Sequence, residues 1–166
     1  MKIGLLDKIE YEFICSSLDQ NKGMSDEEYN TLSIRHPYAV MREDNALILT
    51  TMVHFGLHDS KLNDFIMNKF GNQNFDIDFF YQLNYNVGDY TNPHFDKKVV
   101  AQTTLVLLSD NFLGGDLIID NKKVPFNKRG TYINFNGNKL KHQVTKVLGG
   151  ERKVLVIMFN NKQKTI

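Results

Sequence analysis

Cysteine is almost absent from this chain. Cys15 stands alone, so no disulfide can form within it, and a reducing, intracellular setting is expected. An excess of either charge is missing too: 20 basic against 19 acidic side chains leave a formal net charge of +1. That balance argues against a strongly basic nucleic-acid surface and against an acidic tail. Lys122, Lys123, Lys128 and Arg129 are close in sequence, where a solvated hairpin turn accounts for them. No apolar run approaches the length that crosses a bilayer, so no membrane partner is expected. The opening residues Met1-Lys2-Ile3-Gly4 lead into a charged segment rather than an apolar signal core. A cytoplasmic location is therefore expected, in a cell or in a virus-infected host cell. The three prolines are scattered, and no repeat or extended linker divides the chain.

What is present fits a single domain over 1–166. With 42% hydrophobic residues, a chain of 166 can bury a real core. Two textures follow one another. Up to about 72 the apolar spacing is mostly helical and predicts a helical support. Leu6, Ile9, Phe13, Ile14 and Leu18 suit a first helix, with Asp7 and Glu10 near its positive end. Ser25-Asp26-Glu27-Glu28 reads as the N-cap of a short second one. Helices are also expected over 45–57 and 60–70, the last ended by Gly71.

From about 73 onward the pattern is that of strands. Phe75, Ile77, Phe79 and Tyr81 alternate with polar neighbours. Short β-rich runs follow at 99–108, 116–119, 123–126, 131–135, 143–147 and 153–159. Asp120-Asn121-Lys122 and Leu148-Gly149-Gly150 predict tight hairpins. About eight strands with helices on the N-terminal side imply an α+β chain dominated by β structure. The expected core is a double-stranded β-helix, or jelly roll, over 73–166, with the helices covering one outer face of its major sheet.

The chemistry is concentrated in Pro93-His94-Phe95-Asp96, answered later by His142 and Arg152. Two imidazoles and one carboxylate without a thiolate form a facial triad for Fe(II), which leaves coordination positions open. A structural zinc site is more often closed by four ligands. His94 and Asp96 are two residues apart, so on an extended strand they leave the same face. Arg152 can place a permanent cation in the same pocket, and a metal plus a fixed cation suits a small dianion held at both ends. His54 and His58 are four apart, but no Glu follows His54, so the pair does not read as a metalloprotease site.

Around these residues stand Tyr85-Asn86-Val87-Gly88-Asp89-Tyr90, the run 104–109, and Phe112-Leu113-Gly114-Gly115-Asp116-Leu117. Then come Gly130-Thr131-Tyr132-Ile133-Asn134-Phe135, the segment 142–147, and Gly149-Gly150-Glu151-Arg152. This series resembles the prolyl 4-hydroxylase branch of the Fe(II)/2-oxoglutarate-dependent dioxygenases, in particular its short PKHD-type members from bacteria and phages. The resemblance covers roughly 79–159. It implies the same β-helix fold and makes His94, Asp96 and His142 the Fe(II) ligands and catalytic centre. It implies that Arg152 clamps the far carboxylate of 2-oxoglutarate, with Tyr85 bonding the cosubstrate or the site wall and Leu117 packing on its carbon chain. Some relatives add a tyrosine from the third strand. Here Leu105 and Leu107 take the inward positions, and Thr131 or Thr103 is left to supply that contact. Tyr90 departs by one residue from the position of the second tyrosine in many relatives.

The reaction so implied consumes O2, with ascorbate as reductant, and releases succinate and CO2 while hydroxylating a C–H bond. The resemblance points to a prolyl residue in a peptide or protein as acceptor. A lysyl side chain, a free amino acid or another small molecule is the alternative within the same chemistry, and the near-neutral charge makes nucleic acid the least attractive partner. The rival from another class is a non-enzymatic jelly-roll module that binds a partner, which has no use for His94, Asp96, His142 and Arg152 together. The segment 21–41, with few aliphatic anchors, and the loop 90–92 are expected to flank the metal mouth, the former as a mobile lid.

Overall fold

The structure, a computed structural model, describes residues 1–20, 24–25, 48–49, 51–55 and 60–162; of 24–25, 48–49, 51–55 and residue 60 only the backbone course is described. In chain order it contains β1 (Lys2–Leu5), α1 (Lys8–Gln20), β2 (Met24–Ser25), β3 (Ile48–Leu49), β4 (Thr51–Phe55) and α2 (Ser60–Phe70). Strands then follow without a helix: β5 (Phe75–Tyr85), β6 (Tyr90–His94), β7 (Val100–Leu107), β8 (Phe112–Gly114) and β9 (Leu117–Ile119). The last are β10 (Lys122–Lys123), β11 (Thr131–Phe135), β12 (His142–Val144), β13 (Val147–Gly150) and β14 (Arg152–Asn161).

β14 shows how the layers arise. Every residue from Val154 to Phe159 is buried, so this strand has protein on both faces. Val154, Val156 and Met158 join one apolar cluster, whereas Leu155, Ile157 and Phe159 join a second. The period-2 alternation of side chains thus feeds two separate cores. β14 lies in a seven-stranded antiparallel sheet of order β1-β11-β7-β14-β5-β4-β2. A five-stranded sheet, β10-β9-β12-β6-β3, supplies Leu117, Ile119 and Val144 to the first cluster. A β13–β8 ribbon completes a double-stranded β-helix.

The second cluster is built by the helices on the outer face of the larger sheet. Leu62, Ile66 and Phe70 recur every fourth residue along α2, and Ile14 and Leu18 do so on α1; all five are buried. They meet Phe80, Val106, Tyr132, Leu155 and Phe159 of the sheet. α1 is started by a reciprocal cap: the Glu10 amide donates to the Asp7 carboxylate (2.8 Å) and the Asp7 amide donates to Glu10 (3.0 Å). Lys69 of α2 reaches Glu10 at 2.5 Å and ties the helices together.

Several expectations are corrected. The helix expected over 45–57 is replaced by β3 and β4, because the edge of β5 needs a partner: β4 pairs with it from Thr51↔Asn84 to Phe55↔Phe80. Short apolar runs leave helix and strand ambiguous, and tertiary pairing decided here. β1, which was not expected, pairs with β11 at the far edge, so the first 72 residues supply strands as well as helices. Ile9 is 78% exposed and not part of the core. The strand expected over 143–147 is two strands, with Thr145 and Lys146 carrying the chain from the five-stranded sheet to the ribbon. Leu148-Gly149-Gly150 is no hairpin turn but the strand β13, paired with β8. Asp120-Asn121 does form a two-residue hairpin, with φ of 51° and 61° at its centre. The second short helix, from 26, and most of the expected lid over 21–41 lie outside the described residues.

Candidate metal centre and anion pocket

His94 ends β6 and His142 begins β12, and the sheet register sets them directly opposite one another. Their ring centroids are 4.3 Å apart. Asp96 follows β6 by two residues and is buried. The ligand atoms of His94, Asp96 and His142 all lie within 4.8 Å of one another. Each imidazole is aimed by its own backbone. Nδ1 of His94 lies 2.8 Å from the Asn92 carbonyl, and Nδ1 of His142 lies 3.0 Å from the Leu140 carbonyl. A carbonyl only accepts, so each Nδ1 carries the proton and each Nε2 keeps a free lone pair. Burial, reinforced by His142, holds His94 below the ordinary histidine range, which favours the neutral form that ligates. Two neutral imidazoles and one carboxylate fit a divalent first-row metal.

Asp96 is fixed from three directions. Its amide donates to the Gly137 carbonyl at 2.9 Å. One carboxylate oxygen, Oδ2, accepts from the Thr103 hydroxyl on β7. The other, Oδ1, lies 3.6 Å from His142 Nε2. A Cβ at Gly137 would overlap the Asp96 carboxylate and the Thr103 hydroxyl, so only glycine lets the 136–140 turn approach this closely.

Arg152 starts β14, opposite Tyr85 on β5, and is 1% exposed. Among the described residues no carboxylate is in ion-pair contact with it, and its Nε and Nη2 are buried without a hydrogen-bond partner. Its guanidinium carbon sits 5.1 Å from the Tyr85 ring, 5.6 Å from Phe126 and 5.9 Å from Phe112. Burial pushes the guanidinium down to about 10, with Tyr85 and Asp116 opposing the shift. Gly115, at φ +61°, gives it room: a Cβ there would stand 2.9 Å from Arg152 Cδ.

The same cavity is lined by His94, Asp96, His142 and Arg152. Tyr85 and Leu117 also line it, and the Tyr85 hydroxyl bonds that of Thr91 at 2.8 Å. Thr103 lines it but is engaged with Asp96. Thr131 is buried on β11 but is not among the lining residues, nor is Tyr90. Leu105 faces the inner cluster, as does Leu107. His54 lies on β4, opposite Tyr81, so it presents no helix face; His58 lies outside the described residues. Thr91, Gln143 and Gly137 were not found from the sequence. The Asn-rich turn at 136–138 was visible there, but not its contact with Asp96.

No protein-family model matches the sequence, and no curated protein matches it. Solved structures do. A viral collagen prolyl hydroxylase from Paramecium bursaria Chlorella virus-1, in its 2OG complex, superposes with a TM-score of 0.67 at 14% identity, over 97% of this chain and 96% of that one. HygX from Streptomyces hygroscopicus, with nickel, 2-oxoglutarate and hygromycin B bound, gives 0.60 at 12% identity, over 96% and 82%. A prolyl hydroxylase from Trichoplax adhaerens, in complex with a peptide fragment of the hypoxia inducible factor oxygen degradation domain, gives 0.56 at 13% identity, over 91% and 89%. The chain therefore has the fold of the 2-oxoglutarate- and Fe(II)-dependent oxygenases.

Proposed function

We propose that this protein is an Fe(II)- and 2-oxoglutarate-dependent dioxygenase that hydroxylates a C–H bond, with a peptidyl proline as the acceptor. The observation that carries the reading is Arg152: a buried cation with unpaired donors, in one cavity with three metal-ligating side chains. A buried charge without a partner is costly, and it is tolerated where an anion completes it. A module that merely binds a partner through its surface has no use for either feature. No described helix is long and apolar enough to cross a membrane.

In this reading His94, Asp96 and His142 hold the iron and Arg152 pairs with the far carboxylate of 2-oxoglutarate. The planar guanidinium offers two parallel donors, the geometry a carboxylate accepts. Tyr85 and Thr91 contribute hydroxyls beside it, and Leu117 packs on the methylenes. The bound iron supplies O2 activation coupled to oxidation of the keto acid, so that 2-oxoglutarate, O2 and R–H yield succinate, CO2 and R–OH. The chain's own part is orientation and exclusion of water by the apolar wall of Leu83, Leu105, Val144 and Val156.

The neighbours, rather than the cavity, support this choice of acceptor. Two of the three are prolyl hydroxylases by name, one of them with a peptide fragment bound, whereas HygX holds hygromycin B in the same fold. The test is incubation with Fe(II), 2-oxoglutarate and ascorbate in air, against a panel of proline-containing peptides and small molecules, read by mass spectrometry. A gain of one oxygen on a peptide supports the proposal. Oxygen gain on a small molecule alone would move the acceptor but keep the chemistry, and a protein that binds no 2-oxoglutarate in the presence of metal would remove both.

A further inference from the structure

We infer that Thr103 is a positioning residue that makes Asp96 a one-armed ligand and so keeps coordination positions open for chemistry; this rests on the metal reading of the triad. A carboxylate offers two oxygens, and a metal at a pocket wall can take both. Taking both would consume a position that substrate needs. Here Oδ2 is already engaged. Thr103 is 1% exposed, and its hydroxyl donates to Oδ2 from β7, a strand that contributes no residue to the triad. Among the described residues the only other hydrogen-bond acceptor for that hydroxyl is the Met158 sulfur at 3.7 Å, far weaker than a carboxylate. One proton therefore goes to Asp96. Oδ1 is left facing His142 Nε2, one of the other two ligating groups, at 3.6 Å.

The geometry around the pair has the same effect. Gly137 approaches both groups so closely that a Cβ there would overlap them, and its carbonyl accepts from the Asp96 amide, which anchors the backbone that carries the carboxylate. Three separate segments thus fix the orientation of one side chain: the end of β6, the middle of β7 and the turn before β12. Thr103 touches neither the iron nor the substrate in this account. It acts through Asp96, as the outer partners of metal ligands do.

The experiment compares Thr103→Val, which keeps the shape and loses the donor, with Thr103→Ser, which keeps the donor. Co(II) is the probe, because its visible absorption reports coordination number and its affinity can be read by competition with a chelating dye. His142→Ala serves as the control that ties the spectrum to the triad. Thr103→Val should bind Co(II) about 10–100-fold more weakly, the usual range for loss of an outer partner, and should show weaker visible bands as the carboxylate turns two-armed. Thr103→Ser should stay within about threefold of the parent, inside what a retained hydrogen bond allows. Near-ultraviolet circular dichroism of the metal-free proteins checks that both variants are folded; if Thr103→Val is not, Thr103→Ala is read in its place. Equal affinity and spectrum for Thr103→Val and the parent would overturn the inference while leaving the metal site in place. Equal losses in the Val and Ser variants would overturn it as well, by showing packing rather than the donor. A parent protein that takes up no Co(II), or whose Co(II) spectrum is unchanged in His142→Ala, would instead remove the metal reading beneath it.

Discussion

Replacing Arg152 by Met should make the ligand-free protein slightly more stable and the ligand-bound protein less so. Burial displaces the guanidinium from its ordinary, higher range down to about 10. A displacement of that size corresponds to about 3 kcal/mol of penalty on the charged form. Methionine has a similar length and no charge, so it escapes that penalty. Against this stands the loss of three ring contacts, to Tyr85, Phe126 and Phe112. At about 0.5–1 kcal/mol each, they recover about 2 kcal/mol for arginine. The difference is about 1 kcal/mol in favour of Met, or roughly 2–4 °C in Tm for a domain of this size.

The order should reverse on adding Mn(II) and 2-oxoglutarate. A ligand at a hundred times its Kd stabilises the parent by about 2.7 kcal/mol, and the variant gains little because its clamp is gone. Differential scanning fluorimetry at neutral pH, with and without the pair, reads both halves. The sign with pH also follows. A base whose folded pKa is depressed destabilises the fold fully below about 10 and less above it, so the advantage of Met should shrink as pH rises through that value. A variant that melts below the parent in both conditions, or equal ligand-induced shifts in the two proteins, would refute the reasoning.

Asp96→Ala should abolish succinate release and weaken metal binding while leaving the metal-free far-ultraviolet circular dichroism unchanged; turnover at the parent rate would contradict the ligand assignment. Gly115→Ala, at φ +61° and with its new Cβ 2.9 Å from Arg152, should cost about 1–3 kcal/mol in chemical denaturation and weaken 2-oxoglutarate binding. Glu10→Gln should cost under about 1 kcal/mol, because the Lys69 contact is partly exposed. Its bond to Glu10 raises Lys69, so that contribution should be present at neutral pH and vanish only as pH climbs past the ordinary lysine range, which urea titrations at several pH values would check.

The strand core was legible because the chain alternates so clearly there: 131–135 matches β11, and 99–108 brackets β7 by one residue at each end. α2 was legible for the same reason, since Leu62, Ile66 and Phe70 repeat at helical spacing. β3 and β4 were not, because nothing within 45–57 states that β5 has an open edge or that β6 lacks a neighbour. The division of 143–147 between two sheets was hidden as well. It is set by Asp116, whose amide donates to the Thr145 hydroxyl and whose carbonyl accepts from the Thr145 amide, a contact across 29 residues.

The candidate site divides along the same line between what a residue type announces and what only a neighbour can decide. His94, Asp96, His142 and Arg152 are conspicuous because imidazole, carboxylate and guanidinium have few structural uses in a β-rich core. Thr103 and Gly137 are ordinary residues, and their meaning exists only where β7 and the 136–140 turn meet the end of β6. Thr131, offered with Thr103 in place of the missing tyrosine, is buried on β11 and is not among the residues lining the cavity, where the hydroxyls of Tyr85 and Thr91 bond one another. The register Arg152↔Tyr85 is what sets that pair beside the cation. In the proposed reading the carboxylate end of the pocket is formed by β5, β6 and β14, and the metal end by β6 and β12 with β7 behind them. β6 alone serves both, through Thr91 at one end and His94 at the other. Its single pairing irregularity, between the Thr91↔Val144 and His94↔His142 partners, falls between the two ends. The extra residue on β6 there bends the strand and re-aims its side chains, which in the proposed reading lets one short strand address both halves of a bifunctional ligand.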